Sequence, residues 1–380
     1  MNYLLYSSPF KKGLQIALSL MLGVALLGGN IAYAWGPCVS PSGAGGCYKS
    51  IQAAVDAAND GDQIVIRAGK YVEQVTIIGK NLSLIGRRGA IIQAPKTMED
   101  TLSPLAGQEA RPIILVAEAE VTVRDLVIDG ANSTANNPYM YGVAFINADG
   151  VIRGNVVKNV GFGTPTLPED GSYQGEAIVV VNFGPTPRTV TIAENYVSNY
   201  NASGITIFAQ GMPDDPTLGA LVVNVLNNTV IGSGPNNVLS QWGVFFGGYE
   251  SAQITGSLKG NWIRDLITID QYPAPGAGIA TKDMTNVEIS GNVIENTDMG
   301  FSISGVGTQI LQNRFKKVSN GVLLFVDFPD YGNAVGTILD DNRFDKVDMD
   351  IMTGPVMYET AAKAMSADAA EEAQPKRLPR

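Results

Sequence analysis

Ionisable side chains lie just beyond the ends of several short apolar segments in the second half of the chain. They are Glu250, Lys282, Asp283 and Asp327. Glycoside hydrolysis needs two carboxylates, about 5 Å apart in retaining enzymes and about 6.5–9.5 Å apart in inverting ones. A β-eliminating lyase needs a basic residue instead, for which Lys282 is the candidate. These residues are therefore candidate catalytic groups, and the alternative is that they are ordinary solvated loop residues.

Aromatic residues near these groups could form a platform on which sugar rings stack. Trp242, Phe245 and Tyr249 are the candidates, because aromatic rings bury a large apolar face in a defined geometry. Phe245 belongs to a row of expected outward-facing positions that is unusually apolar for a cleft that holds charged sugars. Two explanations are open: inserted loops cover this face, or it contacts a partner, such as a second copy of the chain.

Composition excludes several kinds of chemistry. The chain of 380 residues has no histidine, which excludes Ser-His-Asp triads, His-ligated zinc and histidine bases. Its net charge of −10 argues against a nucleic-acid partner, since such proteins need a basic face. Clustered aspartates are only a weak calcium signal without an Asp-rich nonapeptide repeat. The sequence implies no cofactor, and a polysaccharide remains a possible partner.

The amino terminus has the pattern of a signal peptide. Lys11 and Lys12 precede an apolar run from Leu14 to Leu27, which is followed by Ala-Tyr-Ala. The run is shorter than the about 20 residues that a membrane span needs. Residues 1–34 are therefore predicted to direct export to the periplasm or the medium, and the mature chain is predicted to have no membrane span.

Two cysteines, Cys38 and Cys47, follow the predicted cleavage site. Their spacing differs from the CxxC of redox proteins, and no thioredoxin-like βαβ pattern surrounds them. In an exported protein such a pair is predicted to form a structural disulfide.

An asparagine motif, Asn-x-aliphatic or Asn-x-aromatic, recurs along the chain. It begins at Asn155, Asn195, Asn228, Asn261, Asn292, Asn313 and Asn342, in steps of 40, 33, 33, 31, 21 and 29 residues. The shortest step suits a unit of three short strands, and the longer steps suit the same unit with inserted loops. Asparagine tolerates the left-handed conformation of a sharp turn, and stacked amides can hydrogen-bond to their neighbours above and below.

A second motif, a small residue followed by alternating side chains, accompanies the asparagines. Alternation with period two predicts strands, and strands without intervening helices can pair only with those of the next coil. The sequence thus predicts a parallel β-solenoid whose coils lie about 4.8 Å apart. A propeller needs four strands per unit, and a β-sandwich would not keep the asparagine register. The predicted core positions are Val143, Phe145, Ile178, Val180, Ile205, Ile207, Val244, Phe246, Ile279, Phe301, Ile303, Val322 and Leu324.

The ends of a solenoid expose strand edges and need caps. The segment Ser50 to Ala58 predicts a short amphipathic helix with Ser50 as N-cap, which would close the first coil. Residues 359–380 lose the apolar alternation and are predicted to form a disordered or partly helical tail. Residues 35–358 are the predicted β-helix domain.

The stretch SIQAAVDAANDGDQIVIRAGKYVEQVTI resembles the opening of pectin methylesterases and other members of the pectin lyase-like superfamily. The matching positions are Ile51-Gln52-Ala53-Ala54 and Gly69-x-Tyr71-x-Glu73. The resemblance implies an all-β fold, a right-handed parallel β-helix with a short N-terminal capping helix. Fold similarity does not carry function.

The catalytic motifs of the esterases are absent. Tyr141 stands where the family has a glutamine, and no Gln-Asp-Thr-Leu, Asp-Phe-Ile-Phe-Gly or Leu-Gly-Arg-Pro-Trp follows. Polygalacturonase-like and alginate-epimerase-like activities rely on a histidine that this chain lacks. Two functions remain open: an exported protein that binds or processes polysaccharide, and a non-catalytic exported solenoid that acts in adhesion or assembly.

Overall fold

The fold is built from short strands that pair with the equivalent strands of neighbouring coils. The computed structural model describes residues 36–101, 110–133, 137, 139–161, 175–211, 218–235, 241–249, 253–268, 275–282, 285–325 and 334–353. All of them belong to one compact unit that begins at Gly36. The predicted signal peptide (1–34) and tail (359–380) lie outside the described residues, so the domain boundaries stay predictions.

The strands form two parallel sheets, one of 11 and one of 17 strands. We call the first sheet ladder 1. It contains β1 (Cys38–Val39), β2 (Gln63–Ile66), β5 (Leu82–Gly86), β8 (Glu120–Arg124), β11 (Asp149–Arg153), β14 (Arg188–Ala193), β17 (Leu221–Leu226), β20 (Ile254–Lys259), β23 (Thr285–Ser290), β25 (Gln309–Leu311) and β27 (Ile338–Asp340).

The second sheet bends into two ladders. Ladder 2 contains β4 (Val75–Ile78), β7 (Arg111–Ala117), β10 (Met140–Ile146), β13 (Gly175–Asn182), β16 (Ser203–Gln210), β19 (Trp242–Tyr249) and β22 (Ala277–Lys282). Ladder 3 contains β3 (Gly69–Val72), β6 (Ala90–Gln93), β9 (Val127–Asp129), β12 (Val156–Val160), β15 (Tyr196–Tyr200), β18 (Thr229–Ile231) and β21 (Trp262–Leu266). Three longer strands run through both ladders: β24 (Val293–Ile303), β26 (Arg314–Leu324) and β28 (Arg343–Thr353).

Every pairing between coils is parallel and keeps its register. In ladder 2, Val143 pairs with Ile114 of the preceding coil and with Ile178 of the following coil. One strand from each ladder makes up a coil, so equivalent side chains stack along the axis. This is the right-handed parallel β-helix predicted from the sequence.

The core fills the space between the three ladders. All thirteen predicted core positions of ladder 2 lie in one buried apolar cluster, from Val143 and Phe145 to Val322 and Leu324. Each is at most 8% exposed. The alternating pattern therefore identified the inward face of ladder 2 correctly.

The small residue that opens each ladder 2 motif has a steric cause. A Cβ atom added to Gly243 would lie 2.3 Å from Cγ2 of Ile263 and 2.5 Å from the carbonyl oxygen of Gly278. At Gly300 it would lie 2.3 Å from the carbonyl oxygen of Gly321. Strands of ladders 2 and 3 approach so closely at this corner that larger side chains do not fit.

The seven predicted asparagines form one continuous ladder at the turn between ladders 1 and 3. From Asn155 to Asn313, each side-chain Nδ2 donates to Oδ1 of the next asparagine over 2.9–3.1 Å. The same Oδ1 also accepts the backbone N–H of the preceding asparagine over 2.9–3.0 Å. Each Nδ2 further donates to a backbone carbonyl, as Asn261 does to Val225. The predicted hydrogen-bonded stack is confirmed.

The left-handed conformation of this turn is not on the asparagines, contrary to the prediction. It falls on the residue that precedes each one, for example Gly154 (φ 64°), Glu194 (φ 57°) and Asn227 (φ 54°). The asparagine itself is fixed by its side-chain hydrogen bonds, so the preceding residue reverses the chain. Glycine occupies this position in three of the coils because it takes positive φ without strain.

A helix closes the first coil, as predicted. Helix α1 (Ile51–Ala57) begins at Ser50, whose Oγ accepts the N–H of Ala53 over 3.0 Å. The Glu73 carboxylate accepts the N–H groups of Ile51 and Gln52 over 2.9 and 3.0 Å. Glu73 thus caps the helix, which gives a structural reason for its place in the amino-terminal motif.

The disulfide lies beside this cap. Cys38 and Cys47 are bonded, as predicted, and close a segment that contains a single short 3-10 turn, Ala44–Gly46. Strand β1 next to it pairs with β2 at the edge of ladder 1. Within the described part of the chain, no helix has the length and apolar character needed to cross a membrane.

Candidate functional site

The outer face of ladder 2 carries side chains in rows that run parallel to the coil axis. One row contains Tyr141, which pairs with Glu176 on the next coil. Ile178 pairs with Ile205 of the following coil. Glu176 and Ser203 each lie two residues before these paired isoleucines, so Ser203 continues the row. Ser203 in turn pairs with Trp242. We call Tyr141, Glu176, Ser203 and Trp242 the polar row.

The two described aromatic candidates lie together at one end of the polar row. The rings of Trp242 and Phe245 stack with centroids 4.8 Å apart and an angle of 20° between their planes. Both rings are partly exposed, and Trp242 packs against buried Ala277 and Met299 of the following coils. Their role in sugar binding stays a prediction. The side chain of Tyr249, the third candidate, lies outside the described residues.

Of the four predicted catalytic residues, the described part of the chain includes one. Lys282 ends strand β22 and pairs with Gly247 in a row that also holds Phe208. Glu250, Asp283 and Asp327 lie outside the described residues, so this catalytic edge stays a prediction. Lys282 is three coils from Glu176 and lies in a different row, so the two side chains are not neighbours.

Much of the outer face is buried and apolar. A second apolar cluster covers the first coils of ladder 2 and is separate from the core. Its buried members are Ala110, Leu115, Ala117, Tyr141, Ala144, Ile146, Val179 and Val181. This burial agrees with a covered face rather than a bare apolar strip. The inserted segments that were expected to cover it lie outside the described residues.

Glu176 is the described carboxyl on this face, and it was missed in the sequence. The residue keeps partial exposure, although its carboxyl is surrounded by protein atoms. Burial raises the pKa of Glu176 from 4.5 to about 7, because a low-dielectric surrounding disfavours the charged form. The nearby Thr206 hydroxyl lowers the pKa and offsets part of this effect, although it makes no hydrogen bond of ordinary geometry.

Hydroxyl groups surround this carboxyl. Tyr141 is 2% exposed, and burial, followed by the neighbouring Glu176, raises the pKa of its phenol. The phenol therefore stays protonated and able to donate. The hydroxyl oxygens of Ser203 and Thr206 are buried without a hydrogen-bond partner. Buried polar atoms without partners are uncommon in proteins, so this cluster has unused hydrogen-bonding capacity.

Such a cluster suits proton transfer. A carboxyl with a pKa near the working pH can both donate and accept a proton, which is what general acid–base catalysis requires. No ion pair involves Glu176 within the described residues, and the causes of its shifted pKa include no cation. In the same part of the chain, no three His, Cys, Asp or Glu side chains lie together as a metal site would need.

Asp298, unlike Glu176, has a structural role. Its Oδ2 accepts the N–H groups of Thr268 and Gly276 over 2.7 and 2.9 Å. Burial raises the pKa of Asp298, and these backbone hydrogen bonds lower it in part. The carboxyl holds together two points of the chain that are eight residues apart in sequence, and so fixes the base of an insertion between β21 and β22.

The protonation of Glu176 predicts how stability depends on pH. The folded carboxyl has a pKa of about 7, whereas the unfolded one has the ordinary value of 4.5. The folded state therefore binds the additional proton, and the free energy of unfolding should fall by about 3 kcal/mol as the pH rises through this window. Glu176→Gln should lose this part of the dependence. Urea unfolding of both proteins at about pH 5 and pH 8 measures it.

The exposed Glu120→Gln is the matched control and should keep the dependence of the wild type. Asp298 contributes in the same direction in all three proteins, so the difference between them isolates Glu176. A Glu176→Gln protein with the same pH dependence as the wild type would contradict the assignment of this pKa.

Comparison with known proteins finds similar structures but no matching sequence. No protein-family model and no curated protein sequence matches the chain. Pectin methylesterase PemA from Erwinia chrysanthemi is similar in structure, with TM-score 0.39, 13% identity and coverage of 70% of this chain and 80% of that one. The polygalacturonase from Erwinia carotovora has TM-score 0.39, 13% identity and coverage of 80% and 92%.

A surface adhesin is similar to the same degree. PfbA of Streptococcus pneumoniae has TM-score 0.43, 13% identity and coverage of 81% of this chain and 89% of that one. The parallel β-helix is established by the strand pairing of this chain itself. At these scores the similarities carry no argument about activity, so function has to be inferred from the residues of this chain.

Proposed function

We propose that this protein is exported, binds a polysaccharide on the outer face of ladder 2 and cleaves it with Glu176 as the proton donor. The observation that carries the proposal is a carboxyl protonatable near pH 7 in the same row as the stacked Trp242–Phe245 pair. Two coil steps separate Glu176 from Trp242, about 9.6 Å at the usual strand spacing. One extended chain of sugars would therefore reach both.

The chemistry assigned to Glu176 is general acid catalysis. Its proton passes to the glycosidic oxygen as the bond from that oxygen to the anomeric carbon breaks. A water molecule then attacks the anomeric carbon, and a second carboxylate accepts the proton of that water. The sequence candidates Glu250, Asp283 and Asp327 follow the opposite ends of the ladder 2 strands, so they would form a separate catalytic edge rather than supply this second group. The Tyr141 phenol, which pairs in register with Glu176, would donate a hydrogen bond to the substrate or to the carboxyl.

Export rests on the signal-peptide pattern of residues 1–34 together with the Cys38–Cys47 disulfide. Disulfides persist in oxidising compartments and are rare in the cytosol. Polysaccharides of cell walls and matrices lie in the same compartments. A protein located there would meet the proposed substrate.

A non-catalytic solenoid that acts in adhesion or assembly is the second candidate function. The observation in its favour is the burial of Leu115, Ala144 and Val179, which makes part of the outer face apolar and closed. A closed face would not admit a sugar chain along its whole length. The polar row, however, lies at the start of the strands and shares only Tyr141 with this apolar cluster.

Incubation of the mature protein with purified neutral and uronate polysaccharides tests the proposal. Hydrolysis should produce new reducing ends, without the unsaturated products of a lyase and without the methanol that an esterase releases. Trp242→Ala should raise KM because the stacking platform is lost, and the exposed Tyr48→Ala should not change it. If no polysaccharide of the set yields a product, the non-catalytic function replaces this one.

A further inference from the structure

A second aromatic surface lies on the outer face of ladder 3, away from the polar row. Tyr196 and Trp262 are 43% and 42% exposed. Tyr196 pairs with Thr229 and Thr229 with Trp262, so the two rings stand in one row two coils apart, about 9.6 Å. We call Tyr196, Thr229 and Trp262 the side row.

The fold does not require these rings. The same row position holds Val156 in the coil before Tyr196, and Val293 and Arg314 in the coils after Trp262. An aliphatic or a charged side chain therefore satisfies the coil at this position. An exposed Trp and an exposed Tyr on a solvated strand face point to a binding role instead.

An open cavity of about 370 Å³ adjoins Trp262. It is lined by Trp262, Arg264, Asp265, Glu295, Asn296 and Lys317. The guanidinium carbon of Arg264 lies 5.0 Å from the centre of the indole ring, which fixes the tryptophan by a cation–π contact. The ring is thus held in place before any ligand arrives, which reduces the entropy cost of binding.

The charges around the cavity compensate one another. Arg264 forms an ion pair with Asp265, and Nδ2 of Asn296 donates to Oδ1 of the same aspartate over 2.7 Å. Glu295 and Lys317 add one charge of each sign. A balanced set of donors and acceptors beside an aromatic ring suits a ligand with many hydroxyl groups and no net charge.

We infer that the side row and its cavity bind an uncharged stretch of an extended polysaccharide, with sugar rings stacked on Tyr196 and Trp262. The sugar chain passes over Thr229 between the rings, and hydroxyl groups of the sugars that continue past Trp262 enter the cavity. This site is separate from the polar row and binds without catalysis. It would hold the protein on a polymer while the outer face of ladder 2 acts on the same or a neighbouring chain.

Titration calorimetry with cellohexaose, an uncharged extended hexasaccharide, tests this inference. Wild-type protein should bind it, and Trp262→Ala and Tyr196→Ala should each weaken binding by about tenfold, the loss expected for one stacking contact. Trp262→Phe keeps a ring and should lose less. Tyr48→Ala is the control and should bind as the wild type does, since the exposed Tyr48 lies outside the row.

Circular dichroism and thermal unfolding establish that each variant keeps the fold. The inference is overturned if cellohexaose does not bind the wild type, if Trp262→Ala binds it with unchanged affinity, or if hexagalacturonate binds more tightly than the uncharged probe. A protein that binds cellohexaose through Trp262 but cleaves no polysaccharide supports this site while it rejects the proposed hydrolysis. Failure of the side-row site and failure of the proposed hydrolysis therefore give different experimental results.

Discussion

Glu176→Gln is expected to slow polysaccharide cleavage by about 10²–10⁴-fold, the usual contribution of a general acid. Glutamine keeps the shape and hydrogen-bonding size of the side chain but has no proton to give to the leaving oxygen. KM should change little, because the stacked Trp242 and Phe245 rings remain in place. Steady-state rates of reducing-end formation over a range of pH measure both quantities.

The pH profile separates catalysis from structure. Wild-type activity should decline above about pH 7 as Glu176 ionises, and the residual activity of the variant should lack this decline. Glu120→Gln, on the exposed side of ladder 1, should keep the rate and profile of the wild type. Unaltered turnover in Glu176→Gln would remove Glu176 from the mechanism and leave the edge that carries Glu250, Asp283 and Asp327.

Asn261→Ala is expected to lower the free energy of unfolding by about 3 kcal/mol or more, since three buried polar groups lose a partner and each such loss costs about 1–3 kcal/mol. The substitution removes the acceptor for the backbone N–H and the side-chain Nδ2 of Asn228. It also removes the donor to the carbonyl of Val225. Alanine offers no replacement, and Asn261 is fully buried, so water does not compensate.

Denaturant unfolding of a matched pair tests this expectation. Asn342→Ala removes the equivalent three hydrogen bonds from the last described coil, where the residue is only partly buried. Its loss should be clearly smaller than that of Asn261→Ala, because water reaches a partly buried position and replaces these hydrogen bonds. Equal losses in the two variants would mean that the asparagine ladder contributes locally and not through the burial of its middle members.

The fold was predictable because its causes are local and repeated. The asparagine steps defined the coil, period-two alternation identified the core of ladder 2, and Ser50 marked the start of the capping helix. The left-handed position was misjudged by one residue. That error arose because asparagine has two properties that suit a turn, tolerance of positive φ and a hydrogen-bonding side chain, and this fold uses the second.

The site was less predictable than the fold. Phe245 was found because outward positions follow directly from the alternation, and Trp242 was found as an aromatic residue close to it in sequence. Glu176 and Tyr141 were missed as a pair, since they are 35 residues apart in sequence and meet only through the register between β10 and β13. The available signal was an acidic residue two positions before a core isoleucine, in a strand with no other charge.

The asparagine ladder also has a direction. From Asn155 to Asn313, each side-chain amide donates one N–H to the side-chain carbonyl of the next asparagine, so these carbonyls point towards the preceding coil. Aligned amide dipoles add, as peptide dipoles do in a helix, and hydrogen bonds in a chain polarise one another. The ladder therefore places partial positive charge at the last described coil. Five exposed aspartates lie in that coil: Asp340, Asp341, Asp345, Asp348 and Asp350. The β-helix is thus electrically polar along its axis, with acidic side chains at its positive end.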